Sequence, residues 1–492
     1  MKTGQEKEIA RILQQLDQAP LPDKQELLAA CPEPIRTQRP PDAPAAKPRG
    51  VRWRPRTVCA AVCAAAVLLL AGGQGVRELY RYRAAADLGA ERISLNICLR
   101  QYSAAEVQQG GEGGVLEKKV DGYALPAEDT DAGCADFEQW SASQEGKKGQ
   151  EGAVYSDYSL RVDSDLIGTF TSVLEKSVDG QPVWTREFHE RYIAGYIEAE
   201  SAVVVYGNAT EESGGAAWVA LLDADSGRFL WKEDLQSKAQ ADKAVIHSAQ
   251  GTISSVDIFS SGEGFLRLDR YDGEGNLLLS KTSEVAWDGR VEKAVQVGGG
   301  YIIQWIDYSG VNEYSRLFWL DGAGMVTGAV QYEADDMYYH ITDMVEFEGK
   351  LYLSAYAFPI EGNISREINA VLNAFGQEYS NSKEFFQNEE SIDKVLTPLT
   401  RENYTAVLLV CAPKTGTPQA VYTVDGGIGG GLDLSDAGQL IWNVESLSAT
   451  SYSPFTSAYT IQGACRVYQA VIGGNGSLKS WKDSGELTAF YR

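Results

Sequence analysis

The sequence predicts a mainly β protein: a β-propeller of about seven four-stranded blades behind a single transmembrane helix and a short helical N-terminal tail. Three observations predict it. Short β-branched and aromatic runs separated by Gly, Asp and Asn turns dominate from about residue 93 onward. One turn pattern, an apolar strand, an Asp near a Gly and a second apolar strand, recurs at a nearly constant spacing. A long uncharged apolar run, residues 57–73, separates a mildly basic head from an acidic body: 11 Lys+Arg against 7 Asp+Glu before it, 33 against 61 after it.

The head comes first. Residues 6–18 place Ile9, Ile12, Leu13 and Leu16 at i, i+3, i+4 and i+7, the spacing of an amphipathic helix. A second short helix begins at Pro22, tolerated in a first turn, and runs to Cys31. Residues 1–31 thus form a helical tail. Pro32, Pro34, Pro40, Pro41, Pro44 and Pro48 then fall within 17 residues, which makes 32–56 an extended Pro/Arg-rich linker. Helices this short are marginal alone in water, so the tail reads either as a partly unfolded extension or as a docking element for a cytoplasmic partner, its Ile/Leu stripe in a groove.

The apolar run is 17 residues long and extends through Gln74, Gly75 and Val76 at little cost, so residues 57–76 reach the roughly 17–25 needed to span a lipid bilayer as a helix. Arg49, Arg52, Arg54 and Arg56 crowd its N-terminal edge, and Arg77, Arg81 and Arg83 follow it, a balance that favours a cytoplasmic N-terminus. A cleaved signal peptide is the rival, with Ala71-Gly72-Gly73 as a small-residue exit. The apolar core begins 57 residues in, however, and the first Met after Met1 is Met325, so an uncleaved anchor at the cell membrane is expected. A helical stalk, 77–95, and an extracytoplasmic propeller, 96–492, complete the domain plan. Residues 100–155 are poor in apolar side chains, and their stretches 108–114 and 144–152 read as long loops.

Within the body, the turn glycines Gly180, Gly227, Gly275 and Gly324 are 47, 48 and 49 residues apart, the size of a four-stranded blade. Gly supplies positive φ in such a turn, and Asp bonds back to nearby amides. Weaker copies surround Gly438 and residues 472–478. Between Gly324 and Gly438 the period breaks. There, residues 365–379 place Ile368, Val371, Leu372 and Phe375 on one helical face, so about 362–403 reads as a helical insertion in one blade.

Residues 222–231 (LDADSGRFLW) resemble the tryptophan-docking signature of quinoprotein-like (PQQ-like) repeats, with Ser226 and Arg228 in place of the usual Thr and Lys. Trp184, Trp442 and Trp481 keep the aromatic, whereas the copies at Gly275 and Gly324 lose it. The resemblance implies a propeller whose docking Trp packs between neighbouring blades. The enzymes of that family also hold a quinone and a calcium ion, and usually have an adjacent-cysteine disulfide. This chain has no adjacent cysteines and no recognisable calcium cluster, so it resembles the cofactor-free branch.

No catalytic, cofactor-binding or metal-ligating residue is assigned. Cys98, Cys134, Cys411 and Cys465 fall in the body, where four thiols allow three pairings, and none forms CxxC. Asp223 and Asp225 read as turn residues rather than calcium ligands. Ser380–Lys383 (SxxK) and Lys414–Gly416 (KTG) lie too close together for penicillin-interacting enzymes. The glycine-rich 427–431 is not followed by a helix that could cradle phosphate, so it reads as a flexible hairpin. His189, His247 and His340 are far apart in sequence, and Asn208, Asn363, Asn403 and Asn475 sit in N-x-S/T sequons. A net charge of −24 disfavours nucleic acid as a partner.

The expected function is therefore a binding, scaffolding or sensing module at the cell envelope, not an enzyme, with a protein partner for the propeller. Its topology resembles bacterial membrane-anchored sensors, anti-sigma-like regulators among them. Two alternatives stand beside it: a propeller hydrolase or quinone-dependent oxidoreductase, and a wall-polymer or peptide-binding adhesin using Tyr- and Trp-rich loops such as 337–340.

Overall fold

A computed structural model describes residues 88–127, 158–164, 170–178, 181–199, 201–210, 215–235, 239–249, 252–307, 314–334, 337–359, 404–435, 437–455, 458–473 and 476–491. The N-terminal tail, the linker, the apolar run 57–76, nearly all of the stalk and the helical insertion lie outside the described residues. Among the described residues, no helix is long and apolar enough to cross a membrane.

The protein is mainly β. It opens with a hairpin-like pair, β1 (Glu91–Ser103) and β2 (Gly114–Ala124), joined by the short helix α1 (Ala104–Gln109). Ser103 caps α1 and forms a reciprocal capping box with Glu106, while Gly110 closes the helix in the left-handed conformation. Six antiparallel meanders follow in chain order. The first has three strands, β3 (Tyr158–Ser164), β4 (Phe170–Val178) and β5 (Gln181–His189). The second holds β6 (Arg191–Glu198), β7 (Ala202–Ala209), β8 (Ala217–Asp223) and β9 (Phe229–Asp234). The third holds β10 (Gln240–Ala249), β11 (Thr252–Gly262), β12 (Phe265–Asp272) and β13 (Leu277–Glu284).

The fourth meander is β14 (Gly289–Val297), β15 (Gly300–Asp307), β16 (Tyr314–Leu320) and β17 (Val326–Ala334). The fifth is β18 (Met337–Phe347), β19 (Lys350–Pro359), β20 (Thr405–Cys411) and β21 (Pro418–Asp425). The sixth is β22 (Gly427–Leu434), β23 (Leu440–Phe455), β24 (Ala458–Ile472) and β25 (Leu478–Tyr491). The first strand of each sheet lies against the sheet before it: β10 against β6 and β7, β14 against β10 and β11, β18 against β14, and β22 against β18 and β19.

Burial explains why the middle strands read as unbroken apolar runs. All eight residues of β15 are buried, as are the first six of β7, because neighbouring sheets cover both faces. Fourth strands bury much less: in β9 only Trp231 is buried. That residue and its counterpart Trp184 of β5 join consecutive sheets. Trp184 Nε1 donates to Ala224 O of the second sheet at 3.0 Å, and Trp231 Nε1 donates to Gly273 O of the third at 3.1 Å. Gly227 is required by this docking, since its φ is +64° and a Cβ there would lie 2.5 Å from Cδ2 of Trp184.

Several expectations are corrected. Six meanders are present among the described residues, where about seven blades are expected from the whole chain. Glu91 to Leu95 belong to a strand rather than a stalk; of the expected loop 108–114, residues 110–113 connect α1 to β2, and 144–152 lies outside the described residues. The reason is one-sided burial. In β2, Val120 and Gly122 are buried whereas most other positions are exposed, so the stretch is poor in apolar side chains although it is a strand. Nor are all the sheets separate: β1 pairs antiparallel with β17, β2 pairs parallel with β21, and β17 pairs briefly with β18. The strands β1, β2, β21, β20, β19, β18 and β17 thus close a seven-stranded cycle that covers the outer edges of the fourth and fifth sheets.

The repeat register also shifts. Gly227, Gly275 and Gly324 all lie between third and fourth strands, but Gly438 lies between the first and second strands of the sixth sheet. The true counterpart in the fifth sheet is Gly416, inside the KTG triplet. It lies 92 residues beyond Gly324, and 44 of these are the undescribed residues 360–403, between β19 and β20; the remaining 48 restore the period. Likewise Trp442 lies on the second strand of its sheet, not on the fourth as Trp231 does. It is fully buried and donates from Nε1 to Ser354 Oγ of the fifth sheet at 3.0 Å.

If the docking pair is one unit, Trp231→Ala and Trp184→Ala should each cost about 3–5 kcal/mol in denaturant unfolding. Gly227→Ala should cost more than about 1 kcal/mol in the wild type and clearly less in the Trp184→Ala background, because the clash disappears with the indole.

Candidate functional site: the charged first strands

Each of the second to sixth sheets carries a register shift in its first strand: at Ile193/Gly195, Ala241/Lys243, Val291/Lys293, Ile341/Asp343 and Gly429/Leu432. A bulge takes an amide out of the ladder, and a buried amide has to be bonded. At all five places the preceding sheet supplies the acceptor. Ile193 N donates to Ser172 Oγ at 3.3 Å, Ala241 N to Asn208 Oδ1 at 2.9 Å and Val291 N to Asp242 Oδ2 at 3.1 Å. Ile341 N donates to Ser315 Oγ at 3.1 Å and Leu432 N to Asp343 Oδ2 at 2.7 Å. This is a second repeat, in which short polar side chains staple each sheet to the next.

The glycine-rich stretch 427–431 serves the same device. It is the strand β22 rather than a flexible hairpin, and a Cβ at Gly429 would lie 2.4 Å from Ala355 O, so only glycine permits the approach of β22 to the fifth sheet. Thr342 Oγ1 adds a bond to Gly429 O at 2.6 Å.

The bulges also set out a row of charges. Lys243, Lys293, Asp343 and Asp433 lie on the first strands of the third, fourth, fifth and sixth sheets. Lys293 Nζ forms an ion pair with Asp343 Oδ1. Burial holds the Lys293 ammonium below its ordinary range, the charge of Lys243 adds to that, and Asp433 opposes it. Asp433 accepts from Asn443 Nδ2 at 2.7 Å, and Gln469 Nε2 in turn donates to Asn443 Oδ1 at 3.1 Å.

A second cluster ties the third sheet to the fourth. The fully buried Asp257 of β11 receives Arg270 Nε at 2.6 Å and Nη2 at 2.7 Å, the hydroxyl of Tyr301 and His247 Nε2 at 3.1 Å. Burial alone would raise this carboxyl, but Arg270, His247 and Tyr301 together hold it down to about 2. A carboxylate so fully engaged is a poor proton acceptor, which gives the cluster a structural role. Asp242 is the opposite case: burial dominates and pushes it up to about 6, against hydrogen bonds from Ser261 and the Val291 amide.

Other residues singled out in the sequence are dispersed. His189 is exposed and lies 3.1 Å from Thr171 Oγ1, while His340 stacks on Tyr356 with ring centroids 4.9 Å apart. Residues 337–340 are strand β18 rather than a loop, and Tyr338 packs edge-on against Tyr314 at 4.7 Å. Asp223 accepts from the Ser226 amide and hydroxyl at 2.8 and 2.6 Å, a turn role rather than a calcium ligand's. In the KTG turn, Gly416 O accepts from Tyr332 Oη at 2.7 Å, and Trp319 Nε1 donates to Pro413 O at 2.8 Å. This restores inter-sheet docking where position 328, the counterpart of Trp231, is glycine. Cys411 is a fully buried thiol pushed up to about 12 by burial. Cys98 lies half-buried in β1, Cys134 is outside the described residues, and so is the side chain of Cys465. Asn208 uses its amide oxygen as a staple, and the other three sequon asparagines are outside the described residues. Among the described residues no group of three or more His, Cys, Asp or Glu could hold a metal ion.

No family model and no curated protein matches the chain. Among solved structures, Kuenenia stuttgartiensis hydrazine synthase aligns with 10% identity and a TM-score of 0.36, over 70% of this chain and 98% of that one. The β-propeller domain of the Trilobed protease from Pyrococcus furiosus aligns with 10% identity and a TM-score of 0.31, over 68% and 95%. Quinohemoprotein alcohol dehydrogenase from Comamonas testosteroni aligns with 9% identity and a TM-score of 0.31, over 60% and 61%. Likeness at this level is silent on chemistry.

The two carboxylates have opposite consequences for stability. Asp257 is depressed in the folded state, so its contribution is present above the unfolded value near 4 and is lost as pH falls through about 2. Asp242 is raised, so the folded protein binds the extra proton between about 4 and 6, and stability falls as pH rises through that window. Asp242→Asn, which keeps an acceptor for Val291 N, should therefore gain on the order of 2–3 kcal/mol at pH 7 and flatten the pH 4–6 slope in urea titrations. Asp257→Asn, leaving Arg270 partnerless, should lose about 3–5 kcal/mol.

Proposed function

We propose that the six sheets are blades of a β-propeller of quinoprotein-like repeats, anchored by residues 57–76 with the N-terminus in the cytoplasm and the propeller outside. In this reading the propeller is a binding or sensing module at the envelope, and the helical tail 1–31 engages a cytoplasmic partner. The observation that carries the binding role is the set of five staples on the first strands. They fix six sheets relative to one another through short, conformationally stiff side chains, and a preorganised surface loses little entropy when it takes a ligand. The net charge of −24 supports a body that stays soluble and attracts cationic or dipolar partners rather than polyanions.

The membrane reading rests on the length of the apolar run and on the arginines before it. Labelling intact cells with a membrane-impermeant amine reagent should modify lysines of the body, such as Lys118 and Lys119 in β2, and spare Lys2, Lys7 and Lys24. The reverse pattern would refute the orientation. Crosslinked capture with full-length protein and with a version lacking residues 1–48 should recover a cytoplasmic partner only with the former; identical recoveries would make the tail a passive anchor.

A further inference from the structure

The chain covers the outer edges of its fourth and fifth sheets itself, β17 with β1 and β21 with β2. The third sheet is different. Its last strand, β13, closes the order β10–β11–β12–β13 with no fifth strand beside it among the described residues. Which backbone groups of β13 face outward follows from its pairing. Val285 N donates inward to Gly264 O at 2.9 Å, and the register with β12 runs unshifted from Phe265↔Glu284 to Arg270↔Leu279. Alternation along the strand therefore turns the N–H and C=O groups of Leu279, Lys281 and Ser283 toward β12, and those of Ser280, Thr282, Glu284 and Ala286 away from it. The last of these is already engaged. Ala286 N donates at 2.9 Å to Val107 O of α1, the helix that joins β1 to β2. Ser283 Oγ accepts the Val326 amide of β17 at 3.2 Å, so β13 lies beside the strand whose edge β1 covers.

The rest of this edge is open and apolar at one end. Leu278 is 59% exposed, more than any other large hydrophobic side chain among the described residues, and Leu277 is 52% exposed. Ser280, Lys281, Thr282 and Glu284 are exposed as well. Unpaired amides and carbonyls in a row beside exposed leucines make a template for another strand. We propose that the outer edge of β13 is a docking site for an extended, net-basic segment of a partner protein, which adds to the third sheet as a fifth strand. The mode is the one β1 uses: it lies antiparallel along β17, buries Ile97 and Leu99, and carries Arg92 and Arg100. At β13 the main chain of Ser280, Thr282 and Glu284 supplies the ladder, continuing the bond that Ala286 makes, and Leu278 takes an apolar side chain of the partner. Charge selects that partner. The hairpin 272–284 sets Asp272, Glu274 and Glu284 against Lys281, and the whole chain carries −24, so a basic segment is attracted and an acidic one repelled. The same charge disfavours a second copy of this chain, since pairing would bring together two bodies of −24 each.

This site rests on the reading of the protein as a binding module and gives it a partner class, yet it depends on neither the anchor nor the tail. The test uses full-length protein in detergent and the labelled peptide Lys-Val-Lys-Val-Lys-Val-Lys. Its controls are Glu-Val-Glu-Val-Glu-Val-Glu and a fully backbone-N-methylated copy of the basic peptide. Fluorescence anisotropy reads affinity, and amide hydrogen exchange reads the place. In the free protein the amides of Ser280, Thr282 and Glu284 should exchange at least ten-fold faster than those of Leu279, Lys281 and Ser283, and the basic peptide should slow the first three at least ten-fold. Both control peptides should bind at least ten-fold more weakly. Ser280→Pro removes an outward N–H and no bond to β12, so it should weaken the basic peptide at least ten-fold, whereas Ser280→Ala should leave it unchanged. Slow exchange of the outward amides in the free protein would show that the chain's own residues cover the edge, and would overturn the site. Absence of binding by the basic peptide, or unchanged binding in a folded Ser280→Pro, overturns it too. Equal binding of the acidic peptide overturns the charge assignment, and equal binding of the methylated peptide overturns strand addition, a readout on the unaltered protein. Loss of this site with tail-dependent capture still observed would leave the module reading standing.

Discussion

A bulge in a buried strand frees an amide that has no water to turn to, and this constraint organises the whole body. Five consecutive first strands carry such a bulge, and in all five the bond is supplied by a Ser, Asn or Asp of the preceding sheet. An unsatisfied buried amide costs roughly 1–3 kcal/mol, so no sheet can shed its neighbour without exposing or orphaning that group. The tryptophan docks act at the other side of the sheets, between fourth strands and the turns that follow them in space. The first three sheets are therefore joined at both sides, and Trp319 joins the fourth to the fifth, with the apolar middle strands packed between these points.

The same bulges decide where charge appears. In four successive sheets the residues at or just past the bulge are Lys243, Lys293, Asp343 and Asp433. Asp343 bridges to Leu432 N and pairs with Lys293, and Asp242 holds Val291 N at the expense of an ionisation that burial disfavours. The hairpin β1–β2 solves a different problem, covering the outer edges of the fourth and fifth sheets that would otherwise offer unpaired backbone to other chains.

Much of this was legible in the sequence. The period of the turn glycines fixed the four-stranded unit, and residues 222–231 pointed to Trp231 as an inter-sheet dock, as the structure bears out. The copy at Gly416 was hidden by its Lys-Thr context and by the 44 residues before β20, so Gly438 was read in its place. Residues 91–95 read as stalk, and β2 shows little apolar patterning, because an edge-covering hairpin buries only alternate side chains and can be charged elsewhere. The staples left a fainter trace. Bulge positions 241, 291 and 341 recur at intervals of 50, close to the blade period, but Ser172, Asn208, Asp242, Ser315 and Asp343 come from first, second and third strands, so no fixed offset links acceptor to amide. Side chains matched by geometry and not by register leave no periodic signal.

The central claim is that the bulge amides are buried, bonded and hold the sheets as one body. Hydrogen exchange measured amide by amide on the full-length protein tests it most directly. The account predicts that the N–H groups of Ile193, Ala241, Val291, Ile341 and Leu432 exchange as slowly as those of the buried strands β7 and β15. Exchange at the rate of an exposed turn amide, such as that of Gly322, would contradict it.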